Sequence, residues 1–226
     1  MTEQTKWRLW GRDSLATLFG DMVIYRSLEP LDPRLPGLKA AWKEMGLPSP
    51  DVPRKLQPAY ARAATWLLRQ ARALDAPRVE IEELLFIGDT ELNDGNAYRN
   101  LVRASHWSAW AFIGRDALKS KPEVRIQPDN LFVANRWSAL ADWITWVLQS
   151  GCHCDERTVV IVDMDKTALG ARGRNDGAVD QARVAGVYAA VADTLEERFD
   201  KEAFLTAYRT LNQPKFHSFT SDNQDY

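Results

Sequence analysis

Two carboxylates two residues apart follow an apolar run: residues 159–169 read VVIVDMDKTAL, so Asp163 and Asp165 come directly after the β-branched stretch 158–162 (TVVIV). A buried parallel strand delivers the residues at its C-terminal end to the crevice where open α/β sheets bind ligands, so both acids are expected there together. Like charges at that spacing are costly unless a cation neutralises them. A hard divalent ion such as Mg²⁺, which takes oxygen ligands, suits carboxylates beside a phosphate. The plainer alternative is a strand end whose two solvated aspartates cap the next helix. A second apolar run, 83–89 (ELLFIGD), also ends on a carboxylate, Asp89, after a glycine. It reads either as a buried strand presenting a functional acid or as a strand followed by an Asn-Asp-Gly turn that opens a helix.

Residues 159–169 resemble the first signature motif of the haloacid dehalogenase superfamily, an apolar strand followed by Asp-x-Asp-x-Thr, in residue types and in spacing. The resemblance implies that Asp163 is a nucleophile that forms an aspartyl-phosphate. It further implies that Asp165 is the general acid/base for leaving group and water, and that Thr167 helps hold the transferring phosphoryl group. Residues 84–96 (LLFIGDTELNDGN) resemble the family's fourth motif, an apolar strand ending Gly-Asp with another acid four or five residues later. That match implies a Mg²⁺ site in which Asp89 joins Asp163 and Asp165, with either Asp94 or Asn93 in support. Lys55-Leu56-Gln57-Pro58 resembles the family's Lys-Pro-x-Pro motif with Leu56 in place of the first proline, and implies a cation steadying nucleophile and phosphate. Read alone, Lys55 is a solvated surface charge. In the family the Asp-x-Asp motif comes first, whereas here Lys55 and Asp89 precede Asp163; upstream, Asp21 stands in an apolar stretch without a paired aspartate.

The elements that must position these residues alternate. Residues 15–25 read as a buried strand, 37–45 as a short helix, and 48–58, with four prolines, as a loop. Residues 59–74 place Ala63, Ala64, Leu67, Leu68, Ala71 and Leu74 on one helical face, with Arg62, Arg69 and Arg72 on the other. A strand over 83–89, a helix over 95–104, a strand over 108–114 and a weak strand over 131–134 follow. Residues 139–148 put Leu140, Ile144, Val147 and Leu148 on a helical face; 151–157 read as a loop, 158–162 as the strongest strand, and 180–211 as helical. The alternation predicts an α/β protein with a Rossmann-like parallel sheet flanked by helices. The resemblance makes it haloacid dehalogenase-like, with a helical C-terminal segment similar to the start of a cap. Two arrangements answer the unusual motif order. In one, residues 1–150 form such a domain with a degenerate nucleophile motif and residues 151–226 begin a second. In the other, residues 151–226 supply a permuted part of the same sheet, and Asp163, Asp165, Lys55 and Asp89 converge on one site.

Composition narrows the partners. Of 226 residues, 45% are hydrophobic and 27% charged, near globular averages, so the chain has material for a core. The net charge of −2 and the scattered Lys and Arg lack the basic footprint of a nucleic-acid binder. No apolar stretch reaches the roughly 18 residues of a membrane span, and residues 1–11 lack a signal-peptide core, so a cytoplasmic protein is expected. Cys152 and Cys154, one residue apart, suit neither an unstrained disulfide nor, with His153, a zinc site; a reduced loop pair is expected. Trp137, Trp143 and Trp146 are expected to pack a core, and residues 172–175 (RGRN) to form a solvated loop. Residues and resemblance together lead to the expectation of a Mg²⁺-dependent phosphohydrolase or phosphotransferase acting on a small phosphorylated metabolite. The competing expectation is a catalytically degenerate binding or scaffolding module of the same fold.

Overall fold

Four of the apolar runs form parallel strands in the computed structural model, which describes residue 24, residues 27–168, residue 173 and residues 176–211. They are β1 (Glu83–Gly88), β2 (Ser108–Gly114), β4 (Leu131–Ala134) and β5 (Thr158–Val162). Together with a short β3 (Val124–Ile126) they make a five-stranded sheet in the order β3-β4-β2-β1-β5. β1 is flanked on both sides, pairing with β2 from Glu83↔Ser108 to Gly88↔Ile113 and with β5 from Glu83↔Thr158 to Ile87↔Val162. That explains its near-continuous apolar sequence, since a central parallel strand is covered on both faces. β3 is the antiparallel member, its three exposed residues pairing along β4. A run of three residues, Val124 and Ile126 on either side of Arg125, is too short to carry a strand pattern, and its pairing comes from the neighbour.

The strands alternate between two cores. Leu84 and Phe86 of β1, with Ala109, Ala111 and Ile113 of β2, face helices α2 (Pro58–Asp75) and α3 (Asn93–Ser105), where Leu67, Ala97, Tyr98 and Leu101 are buried. Leu85, Trp110, Phe112 and Phe132 face the other way, against α4 (Leu140–Gln149) through Trp143 and Val147. The molecule is therefore α/β, with a mostly parallel sheet flanked by helices on both faces, an arrangement compatible with a Rossmann-like fold. Trp143 is fully buried and Trp137 and Trp146 pack beside it, as core tryptophans. Two details of the helical faces differ from expectation. On α4 the inward stripe runs Trp143 and Val147, preceded by Ala139 and with Leu140 packed beside it, while Ile144 and Leu148 are exposed; on α2, Leu74 is exposed. The bulk of Trp143 fixes which face of α4 turns inward, and hydrophobic count alone misreads it. The helix expected over 37–45 is regular only in α1 (Leu38–Ala41) and continues as turns to Gly46, whose φ of 69° ends it.

α3 and α4 lie on opposite faces, so the connection out of β1 runs to β2 on one side while the connection from β4 brings β5 to the other side of β1. Strand order thus reverses at the β1–β5 pair, and ligands of open α/β sheets bind at the carboxyl ends of strands at such a reversal. After β5, α5 (Asp176–Leu195) and α6 (Lys201–Leu211) are joined by a short 3₁₀ turn, Glu196–Arg198, with Tyr188, Phe199 and Phe204 in mutual ring contact. Among the described residues no helix is long and apolar enough to cross a membrane. The strand expected over 15–25, apart from Ile24 in a bridge to Pro30, lies outside the described residues, as do Asp21 and, Gly173 excepted, the loop 172–175.

Candidate active site

The register that pairs Ile87 with Val162 brings the two acidic strand tips together, and the Asp163 amide continues the ladder by donating to the Ile87 carbonyl at 2.8 Å. Asp89 follows Gly88 one residue further along β1 and is buried. Gly88 permits what comes next. A Cβ there would lie 2.6 Å from both Cβ and Cγ of Asp94, so only glycine lets the start of α3 close onto the strand end. Asp94 then ties the turn: its Oδ2 accepts from the amides of Asp89 (2.9 Å) and Thr90 (2.8 Å) and from the Thr90 hydroxyl (2.9 Å).

Lys55 arrives from the turn ahead of α2. The turn is held by the Gln57 amide donating to Arg54 O, and α3 secures it through Asn100 Nδ2 donating to Leu56 O at 2.8 Å. The ammonium is almost enclosed, with its side chain 12% exposed, and donates to Oδ1 of Asp94 and to Oδ1 of Asp163. It also lies 5.8 Å from the Phe86 ring centroid. The lysine therefore bridges the two acidic segments. Burial opposes its charge, but the Asp94 and Asp163 carboxylates outweigh burial and hold its pKa above that of an ordinary lysine.

The carboxylates differ. Burial pushes Asp94 up, yet Lys55 and the Thr90 and Asp89 amides outweigh it, and its pKa is lowered. Asp163 goes the other way: burial and the neighbouring Asp94 raise it, although Lys55 pulls it down. Asp89, Asp94 and Asp163 each offer an oxygen within 4.8 Å of the others. Three carboxylates against one ammonium leave two formal negative charges in a largely buried space. A divalent cation balances that sum, and an all-oxygen donor set suits a hard ion such as Mg²⁺ over zinc or copper. Both oxygens of Asp94 are already engaged by Lys55 and the turn. Asp94 is thus the acid fixed by the surrounding turn, and the three carboxylates together form a group that could hold a metal ion.

Comparison with protein-family models, curated proteins and solved structures returned no match.

The remaining residues singled out from sequence fall as follows. Asp165 is half-buried and extended (φ −81°, ψ 127°) in the tight turn Met164–Ala168, and its carboxylate is not part of the three-acid cluster. The turn is closed by the Ala168 amide on Asp163 O at 3.2 Å and contains Lys166 at φ 57°. Thr167 Oγ1 is a buried hydroxyl facing Asp163, where it favours the ionised carboxylate, but it completes no hydrogen bond of normal geometry. Asn93 is buried in the first turn of α3 next to Asp94, whose carboxylate belongs to the acidic cluster.

Two features had no sequence signal. Thr90 completes the clasp on Asp94. A polar cleft of about 1040 Å³ opens beside Asp89 at the ends of β1, β2 and β4, lined among others by Thr90, Asn96, Arg99, Arg115 and Asn135. Asp163 and Lys55 do not line it. Gly173, at φ 84°, lies against the Asp116 backbone just past β2, where a Cβ would collide with the carbonyl oxygen.

Proposed function

We propose that this protein is a Mg²⁺-dependent phosphohydrolase or phosphotransferase of haloacid dehalogenase type, acting on a small phosphorylated metabolite through an aspartyl-phosphate on Asp163. The observation that carries the reading is the meeting of Asp163, Asp89 and Asp94 around Lys55 at the ends of two adjacent parallel strands. In this reading the motif strands are neighbours in space and permuted in sequence, and α5–α6 corresponds to the beginning of a cap. A carboxylate oxygen of Asp163 attacks phosphorus, and the bond to the leaving oxygen breaks as Asp165 supplies that oxygen with a proton. Asp165, now ionised, takes a proton from water, which attacks the acyl-phosphate and regenerates Asp163 with release of phosphate. Lys55 holds the Asp163 carboxylate in place and offsets the charge of the phosphoryl oxygens. Bound Mg²⁺ would be held by Asp89 and Asp163, with Asp94 in support, and would supply charge neutralisation at the phosphoryl group. The polar cleft beside Asp89 supports a hydrophilic leaving group.

A second reading, a binding module without turnover, is favoured by one observation. Among the described residues β5 has no strand on its outer edge, and Val160 and Val162 are 56% and 46% exposed. Hydrolysis of an aryl phosphate with Mg²⁺, compared between the native chain and Asp163→Asn, separates the two. The catalytic reading expects a loss on the order of a thousandfold or more. Equal rates end the nucleophile assignment, and Mg²⁺ binding without turnover supports the module.

A further inference from the structure

At the opposite end of the sheet from the acidic cluster, the loop between α4 and β5 places two thiols in contact. Cys152 Sγ and Cys154 Sγ are 3.4 Å apart, Cys152 buried and Cys154 exposed. Cys152 lies on Glu83, the first residue of β1, which is itself buried. The Glu83 carboxylate accepts from the Cys152 thiol (3.2 Å), the His153 amide (3.1 Å) and the Thr158 hydroxyl (2.7 Å), and its Oε1 pairs with His153 Nδ1 at 2.6 Å. The loop is shaped around this hub by two left-handed residues, Gly151 at φ 92° and Cys154 at φ 51°. A non-glycine residue in that region is strained and persists only where its surroundings enforce it.

We propose that Cys152 and Cys154 form a redox-active dithiol that closes reversibly to an internal disulfide by exchange with a low-molecular-weight disulfide. The sulfurs need to approach by only about 1.4 Å to reach the bond length of about 2.05 Å. With one residue between the cysteines the closed bond is strained, and strained, exposed disulfides are the readily reduced ones that serve as switches and not as staples. The exposures assign the order of events. Exposed Cys154, as its thiolate, attacks one sulfur of the external disulfide and displaces one thiolate. Cys152 then attacks the Cys154 sulfur of the mixed disulfide and displaces the second. Two protein thiols are oxidised, one external disulfide is reduced to two thiols, and the two protein protons end on the departing thiolates. Burial and the adjoining Glu83 carboxylate push the Cys152 thiol up to about 12, so the second step is the slow one. This site is independent of the phosphoryl-transfer reading and lies on residues that reading does not use.

The test is incubation of the full chain with excess oxidised glutathione at mildly alkaline pH with a chelator present, followed by intact mass and thiol titration. The expected result is loss of both of the chain's two thiols, a mass lower by two hydrogens with no glutathione retained, and full reversal by a dithiol reductant. Cys152→Ser, whose hydroxyl keeps a donor for Glu83, retains one glutathione on Cys154. Cys154→Ser reacts at least about tenfold more slowly than Cys152→Ser, because its remaining thiol is buried. A native chain that ends the reaction still carrying glutathione, that keeps both thiols titratable, or that forms covalent dimers overturns the proposal, and that measurement involves no substitution.

Discussion

Lys55→Met removes the one ammonium shared by Asp94 and Asp163 while keeping much of the side chain's volume against Phe86. Because the lysine is nearly enclosed, the substitution strands two facing carboxylates, and removing one partner of a buried ion pair costs about 3–5 kcal/mol. For a chain of this size that corresponds to a fall in Tm on the order of 10 °C. The sign with pH follows from the shifts. In the native protein Lys55 contributes to holding Asp94 below its ordinary pKa, so that part of the stability is present above the unfolded carboxylate pKa and disappears as pH falls. Without Lys55, burial and mutual repulsion raise both carboxyls, which then bind a proton more tightly folded than unfolded. The deficit of Lys55→Met should therefore be largest at neutral pH and shrink toward pH 5, and a saturating divalent cation should shrink it as well. Urea denaturation at several pH values, with and without Mg²⁺, measures this. A deficit below about 1 kcal/mol that is flat with pH is the behaviour of a solvated surface pair and refutes the argument.

Other perturbations test the surrounding pieces. Gly88→Ala forces a methyl group into Asp94 and should cost about 1–3 kcal/mol while weakening divalent-ion affinity, measured by denaturation and calorimetric titration; a neutral substitution would show that the strand end has room. Mg²⁺ at ten times its dissociation constant should stabilise the native chain by about 1.4 kcal/mol and leave Asp89→Asn nearly unmoved, as read by thermal shift. For Glu83, burial pushes the carboxyl up, but the hydrogen bonds from Thr158, His153 and Cys152 win and lower it from 4.5 to about 2. A lowered carboxylate stabilises above its unfolded pKa and loses that contribution as pH falls through the folded one. Native stability should therefore drop between about pH 4.5 and 2, with a shallower drop in Glu83→Gln; identical acid profiles would remove Glu83 from the account.

Much of the fold was legible because the strands announce themselves by burial. β2, β4 and β5 coincide with apolar runs in the sequence, and the alternation of strand and helix gave the α/β class before any pairing was known. What stayed hidden depends on neighbours. β3 is a strand only because β4 offers an edge, and the inward face of α4 centres on Trp143 with Val147 and Leu140, leaving out Ile144 and Leu148, which periodicity also favours. The site divides in the same way. Asp89 and Asp163 were visible as acids at strand ends, because β-branched and apolar runs such as TVVIV read as strands; the burial expected of that run is not found, since β5 lies at the sheet edge and only Val159 in it is buried. Their meeting with Lys55 was one of the arrangements the sequence left open, because Lys55 pairs with residues 39 and 108 positions away and only the parallel β1–β5 register brings these together. Thr90 and the cleft beside Asp89 carried no pattern at all, being products of how α3 and the strand ends close. The thiols are the reduced loop pair that their spacing suggests, but their close approach depends on the left-handed backbone at Cys154, which spacing does not reveal.

The central claim, that Asp163 carries the phosphoryl group, is tested most directly by acid-quenching a reaction with Mg²⁺ and a phosphate monoester and mapping the modified peptide by mass spectrometry. The account predicts a hydroxylamine-labile phosphoryl group on Asp163 that is missing when Mg²⁺ is chelated. Turnover with Asp163 unmodified, or with the group on another residue, would contradict it.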